Sequence, residues 1–284
     1  MAIVDYIKVT GPRINLLVIV TGFVGMWIGA KGMPESGILF WGLLGLSLAS
    51  AGASVFNNYY DRDIDALMGR TKNRPLPCGR ISRVGVFFYA FMLSATAFSI
   101  LAVFVNGISA LLSLFAVVVY SFLYTVIMKR HTPLATEIGG IAGAMPPVIG
   151  WVAVQGHIGI EAVLLFLIML LWQPPHFWAL ALNYKDDYKK AGVPVMPVAK
   201  TDEETINRSF IYVILLVIAS LIPYIIHMAG LLYFYITLAL GMFYIYLYLK
   251  VIFTKVDLNR QLFRYSIVYL SFSFVVMAVD ISIK

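Results

Sequence analysis

Charge is scarce in this chain, and so is cysteine. Of 284 residues, 12% are Asp, Glu, Lys or Arg, while 61% are apolar. A soluble domain carries about 25% charged residues, so a water-facing surface is excluded for most of the length. The one cysteine, Cys78, excludes an intrachain disulfide and any cysteine-based metal cluster. It lies in a basic loop, and its free thiol reads as incidental rather than catalytic. Acid is the scarcer sign, with 14 Asp and Glu against 21 Lys and Arg and a net charge of +7. That excess is no nucleic-acid footprint, because membrane topology and a phosphate site account for it.

Long apolar runs fill the space that charge vacates. They predict nine membrane spans, near 14–30, 38–56, 84–105, 108–128, 138–155, 160–182, 209–229, 231–252 and 263–282. Backbone in lipid must satisfy its own hydrogen bonds, and these runs are too long for barrel strands. The expected fold class is therefore an all-α polytopic membrane bundle, and the short connections argue for one domain over 1–284. The short basic N-terminus leads into further spans with no cleavage signature, so no removable signal peptide is expected. If the N-terminus is cytoplasmic, 19 of the 21 Lys and Arg fall on the cytoplasmic side, leaving out only Lys31 and Lys284. This also supports the count of nine, because a missed span would scramble the alternation.

Two acid-rich segments share that side. Asn57-Asn58-Tyr59-Tyr60-Asp61-Arg62-Asp63-Ile64-Asp65 ends the second span, and Asn183-Tyr184-Lys185-Asp186-Asp187-Tyr188 ends the sixth. Asn58-Tyr59-Tyr60-Asp61 resembles Asn183-Tyr184-Lys185-Asp186, 125 residues on, and each segment precedes a proline-bounded turn. A weak internal repeat of helical units follows, or a chance likeness of two polar loops. The fifth span holds Gly139, Gly140, Gly143 and Ala144, small residues that let helices approach. Its Pro146-Pro147 pair predicts a kink or break, and Pro174-Pro175 predicts the same in the sixth span.

On a helix Asn57, Asp61 and Asp65 lie within an arc of about 80° and rise about 12 Å. Such an oxygen stripe suits Mg²⁺, a hard cation that takes one or two carboxylates plus phosphate oxygens. The helix C-terminus adds negative potential. The bland alternative is a solvated helix end, but acids beside a bilayer are costly and usually serve a purpose. Asp63 points elsewhere, toward Arg62 or a loop residue. Arg70, Lys72 and Arg74 follow on a short loop that can fold over a diphosphate; topology bias or anionic lipid is their alternative role. Asp186 and Asp187 diverge by about 100° on a helix, so one can ligate metal while the other pairs with Lys185, Lys189 or Lys190. Lys185 can also reach phosphate. His176, in Trp172-Gln173-Pro174-Pro175-His176-Phe177-Trp178, either binds a planar metal-bearing ligand or is a hydrogen-bonded core residue. His131, His157 and His227 have weaker context and read as interfacial or structural.

These residues resemble the UbiA superfamily of intramembrane prenyltransferases. Asn57, Asn58, Asp61 and Asp65 match its first acidic motif. Further strings are closest to the branch that farnesylates heme, among them Arg70-Thr71-Lys72-Asn73-Arg74-Pro75-Leu76-Pro77, Lys129-Arg130-His131-Thr132-Pro133, His176-Phe177-Trp178 and Lys185-Asp186-Asp187-Tyr188. The resemblance covers most of the chain, in order. It departs at the second acidic motif, whose usual Asp-x-x-x-Asp spacing is absent, and at Gly11, where the family usually has lysine. It implies transfer of farnesyl from farnesyl diphosphate to a vinyl group of heme b, giving heme O and diphosphate in a cytoplasm-facing cavity. Asp61, Asp65 and Asp187, aided by Asn57, would hold Mg²⁺. Arg70, Lys72, Arg74, Lys129, Arg130 and Lys185 would bind the substrate's charge, and His176 its porphyrin. Tyr120, Tyr124, Trp172 and Trp178 are candidates to steady an allylic cation. It further implies a bacterial or archaeal plasma membrane and a downstream heme A synthase as partner. The alternatives are prenylation of a quinone precursor or chlorophyll-like acceptor, and, from another class, a cation-coupled transporter.

Overall fold

The computed structural model describes residues 2–283, and its regular elements are all helical. In chain order they are α1 (Ala2–Val9), α2 (Pro12–Ala30), α3 (Ser36–Tyr60), α4 (Arg62–Leu67), α5 (Arg83–Phe104) and α6 (Gly107–Val118), which runs on as a π-helix (Val119–Met128). Next come α7 (Ala135–Gly143), α8 (Met145–Gln155), α9 (Ile160–Asn183), α10 (Lys185–Lys190), α11 (Met196–Ala199), α12 (Asp202–Ile225), α13 (Leu231–Thr254) and α14 (Asn259–Ile283).

Among the described residues nine helices are long and apolar enough to cross a membrane, α6 with its π extension and α7 with α8 each making one. Each expected span is present, and most run further than the apolar pattern suggests. The seventh begins at Asp202 rather than near 209. Thr201 caps it, accepting from Glu204 N at 3.1 Å, and its first turn carries Asp202, Glu203 and Glu204. Acids suit the positive end of a helix, so the helix reaches past the lipid while a hydropathy reading stops at the first charges.

The two proline pairs behave differently. Pro146-Pro147 sits in the first turn of α8, just after a break at Ala144, where a proline's missing N–H costs nothing. Pro174-Pro175 was expected to kink or break the sixth span, and it does not break it: α9 is continuous from Ile160 to Asn183. Both prolines are buried, so packing on every side holds the helix together across the lost hydrogen bonds. Gln173 Nε2 meanwhile leaves the helix and donates to Gly140 O at 2.6 Å, tying α9 to α7.

The fifth span is the hub. Its apolar window is 67% buried, against 22–44% for the other eight. The α2–α8 seam is backbone on backbone: a methyl on Gly25 would collide with the Pro147 backbone, and one on Gly150 with Gly22 O. Without a hydrophobic force between helices in lipid, such close approach is what holds a bundle together. A second core lies among α9, α12, α13 and α14, where Tyr233, Tyr244, Tyr248 and Tyr269 are fully buried.

The suggested repeat has a structural counterpart. α3 and α9 each end one residue before a six-residue helix, α4 after Asp61 and α10 after Tyr184. Ile64 and Met68 from the first unit pack with Ala181, Tyr188, Val193 and Val195 from the second. The helix break aligns Asp61 with Tyr184, two residues away from the alignment of the polar strings.

The seam makes a testable difference between two glycines. Gly150→Ala should destabilise the protein by about 1–3 kcal/mol through overpacking. Gly107→Ala, with open space around its Cα, should melt with the parent. Thermal denaturation in one detergent compares them, and equal melting of the two variants would refute the seam.

Candidate active site

The predicted oxygen stripe forms at the polar end of α3. Asp61 N bonds to Asn57 O at 2.9 Å and Asp65 N to Asp61 O at 2.7 Å, so helical spacing survives the change of element at Asp61. Asp61 is fully buried and Asp65 is 4% exposed. Neither carboxylate is bare. Asp61 Oδ2 accepts from Asn57 Nδ2 at 2.8 Å and from Lys129 Nζ, whereas Oδ1 is buried with no partner among the described residues. Asp65 Oδ2 accepts from Arg74 at 2.7 Å, and Thr71 Oγ1 donates to Asp65 O at 3.0 Å, folding the basic loop back over α4. Burial pushes the Asp65 carboxyl above its ordinary range; Arg74 opposes this and the Asp61 charge adds to it.

Lys129 reaches Asp61 because its helix changes winding. Tyr120 and Lys129 are nine residues apart, two and a half turns of an α-helix, which would set them on opposite faces. In the π-helix the i→i+5 pattern stacks residues four to five apart. Lys129 N accordingly bonds to Tyr124 O at 2.8 Å, and Thr125 Oγ1 donates to Tyr120 O at 2.8 Å. Tyr120 and Tyr124 stack at 5.4 Å, and Lys129 Nζ lies 5.9 Å above the Tyr124 ring. Asn57 Nδ2 donates to Thr125 Oγ1 at 3.1 Å, closing the group. Burial draws the Lys129 ammonium down, but the contact with Asp61 outweighs it and leaves its pKa raised.

The other predicted residues divide. Asp63 points away from the stripe and pairs with a loop residue, Arg130, at 2.7 Å, as expected, while Arg62 donates to Tyr59 O at 2.7 Å. The hydrogen bonds from Arg130 hold the Asp63 carboxyl down at about 2. Arg130 is thus occupied outside the stripe. Lys185 bonds to Asp202 at 2.5 Å at the start of α12 rather than facing the stripe. Lys72 is exposed. Arg70 lies 5.7 Å from the Tyr184 ring, joining the two acidic segments. Asp187 is half-buried beside Gly69, where an added methyl would lie 3.6 Å from its carboxylate, and Asp186 is exposed. Asn58 donates to Val9 O at 3.1 Å and Ser54 O at 2.9 Å, which anchors α1.

A polar pocket opens beside the stripe, lined by its Asn57 and by Arg70, Arg74, Lys8, Arg80 and Asn73 among others, with Asp61 and Asp65 behind that lining. Sequence reasoning missed Lys8, Arg80 and Asn73. Arg80 donates to Asn73 O at 3.0 Å within its own loop and is drawn in by Asp5 at 3.4 Å, a contact between segments far apart in sequence that no local pattern signals. Below it lies an apolar cavity walled by Leu46, Ala49, Ala53, Val117, Gly143 and Ile149 among others. Ile14, Ser54 and Tyr120 line both spaces. A cationic mouth on an apolar shaft suits an amphiphile with an anionic head.

The donors fit Mg²⁺: hard carboxylate and amide oxygens, with one Asp61 oxygen buried and unused. Among the described residues no three Asp, Glu, His or Cys side chains converge enough to hold a metal alone, so Asp61, Asp65 and Asp187 are not brought together as one ligand set. Mg²⁺ commonly completes its shell with water and substrate phosphate.

Helical spans around a cationic mouth and an apolar shaft are the architecture of an intramembrane enzyme. Residues 18–272 match the UbiA prenyltransferase family, and the chain belongs to that family: it is a prenyltransferase and an integral, multi-pass membrane protein. It is 44% identical to the protoheme IX farnesyltransferase of Aquifex aeolicus over 97% of this chain and 94% of that one. It is 42% identical to that of Trichodesmium erythraeum over 97% and 85%. The fold is shared with digeranylgeranylglyceryl phosphate synthase (TM-score 0.84, 19% identity, 99% of both chains). It is also shared with a UbiA homolog from Archaeoglobus fulgidus bound to GPP and Mg²⁺ (TM-score 0.65, 19% identity, 96% of this chain and 99% of that one). Family membership displaces the transporter alternative.

The buried pair sets a stability test. Lys129→Met should cost about 3–5 kcal/mol, because it strands a buried carboxylate. Adding Asp61→Asn should recover most of that loss in a thermal melt. If the double variant melts no higher than Lys129→Met, the pair does not carry the stability assigned to it.

Proposed function

We propose that the protein transfers a farnesyl group from farnesyl diphosphate to a vinyl group of heme b, with Mg²⁺, giving heme O. One observation carries the reading: a cationic mouth beside the acidic stripe joins an apolar shaft through Tyr120, in a chain close to named protoheme IX farnesyltransferases along almost its whole length. The diphosphate head belongs in the mouth and the isoprenoid tail in the shaft.

Asn57, Asp61 and Asp65 would hold Mg²⁺, and Asp187, which the bundle keeps apart from them, would add a carboxylate from the second segment only with the substrate between them. The ion supplies Lewis-acid neutralisation of the diphosphate. Arg70 and Arg74, with Lys8 and Arg80, surround the head with positive charge that is in place before any bond breaks. Lys129 balances Asp61. As the C1–O bond breaks, its electron pair leaves with the diphosphate. The Tyr120 and Tyr124 rings then offer π faces to the allylic cation. The terminal vinyl carbon bonds to C1, water adds to the inner vinyl carbon, and one proton is released, leaving a hydroxyalkyl group. We place the mouth and the N-terminus on the cytoplasmic side of a plasma membrane, treat residues 1–284 as one domain, and expect the product to serve a heme A synthase.

The direct test incubates purified protein with heme b, farnesyl diphosphate and Mg²⁺, then reads the hemes by mass spectrometry. An EDTA-sensitive hydroxyethylfarnesyl heme is expected. Absence of product from folded protein, with turnover on a quinone precursor, would move the acceptor. Asp61→Asn should lower turnover about 100- to 1000-fold, the scale of losing one preorganised electrostatic contact, while Asp63→Asn stays within a few-fold. The shaft gives a further check. Ala49 lies two helical turns deeper than Asn57, so Ala49→Phe should cut farnesyl transfer more than 10-fold while sparing geranyl diphosphate. Equal loss with both donors would refute the tail's placement.

A further inference from the structure

His176 sits between two flat rings. Trp172 stacks on one face at 4.2 Å and 18°, and Phe263 of α14 on the other at 4.7 Å and 26°. Its Nδ1 lies 2.7 Å from Ser266 Oγ. Ser266 has a single hydroxyl proton, which it donates to Phe263 O at 2.6 Å. The serine oxygen can then only accept from the imidazole, so Nδ1 carries the ring proton and Nε2 bears a lone pair. With both faces covered and Nδ1 bonded, the edge that holds Nε2 is the part of this half-buried residue left for a ligand. Among the described residues Nε2 has no partner.

This is the arrangement of a metal-binding histidine: neutral, with its other N–H engaged and its ring orientation locked. A histidine that merely packs has no need for a fixed tautomer with its free lone pair turned outward. The position lies on the same helix as a neighbour of the shaft. Gln173, one turn earlier on α9, packs against Gly143, a wall of the apolar shaft. Arg260 and Arg264, four residues apart toward the polar end of α14, are exposed and have no carboxylate partner among the described residues. A planar, iron-bearing ligand reaching that edge would set its metal on Nε2.

We propose that His176 Nε2 is an axial ligand to the iron of the acceptor porphyrin, with Ser266 positioning the ring. The proposal rests on heme being the acceptor. The test titrates full-length protein, in detergent, with heme b and separately with metal-free protoporphyrin IX, following absorption spectra. The parent should show an imidazole-ligated iron spectrum. His176→Ala should lose that signature and bind heme at least 10-fold more weakly, yet keep its protoporphyrin affinity, and free imidazole should restore the spectrum. Ser266→Ala should weaken heme binding about 10- to 100-fold, as loss of a ligand's supporting hydrogen bond does. An unchanged iron spectrum in His176→Ala overturns the ligation and leaves the acceptor reading standing. So does an equal loss of heme and protoporphyrin, which would make the residue a packing element. A parent that binds neither porphyrin overturns both.

Discussion

A fully buried carboxylate at the edge of a membrane bundle governs this structure. Asp61 has no water to solvate it, and isolated burial of a charge is prohibitive. Three irregular features converge on its relief. α3 ends so that Asn57 can donate to Asp61, the fourth span adopts π winding so that Lys129 can reach it, and Thr125 on the same winding braces Asn57. One turn on, the basic loop folds back to give Asp65 its Arg74. Remove the demand at Asp61 and no reason remains for a ten-residue π-helix, a conformation rare over such a length. Stability and chemistry meet here, because the geometry that shelters the charge also leaves one oxygen of Asp61 unused.

Much of the bundle was legible in the residues because lipid imposes a simple rule. A span must be apolar and helical, so hydropathy alone located all nine. The stripe of Asn57, Asp61 and Asp65 was legible for a similar reason, since one helical period relates its members. What local pattern could not show depends on contacts between distant segments. The π-helix is the clearest case: Val119–Met128 reads as an ordinary apolar run, and only its partners on α3 make the wider winding favourable. Lys185 is another. Its place beside the second acidic motif suggested phosphate, but Asp202 brings a carboxylate to it at 2.5 Å. The prolines of α9 show that a proline pair need not interrupt a span: the helix runs on through both, and both are buried.

Small residues perform two tasks in this protein, and the tasks are linked. Glycines at the α2–α8 seam remove side chains so that backbones can touch. Ala49, Ala53, Ala142 and Gly143 remove them where the helices stay apart, and the same economy leaves a shaft. In a water-soluble core an apolar void lowers stability by about 24 cal/mol per Å³. A membrane enzyme whose substrate carries an isoprenoid tail can let that tail supply the missing contacts. In the proposed placement the tail contributes packing energy when its head is seated among the cations at the mouth. Binding of the remote chain is thereby coupled to placement of the diphosphate, which is how interactions far from the reacting bond come to assist its cleavage.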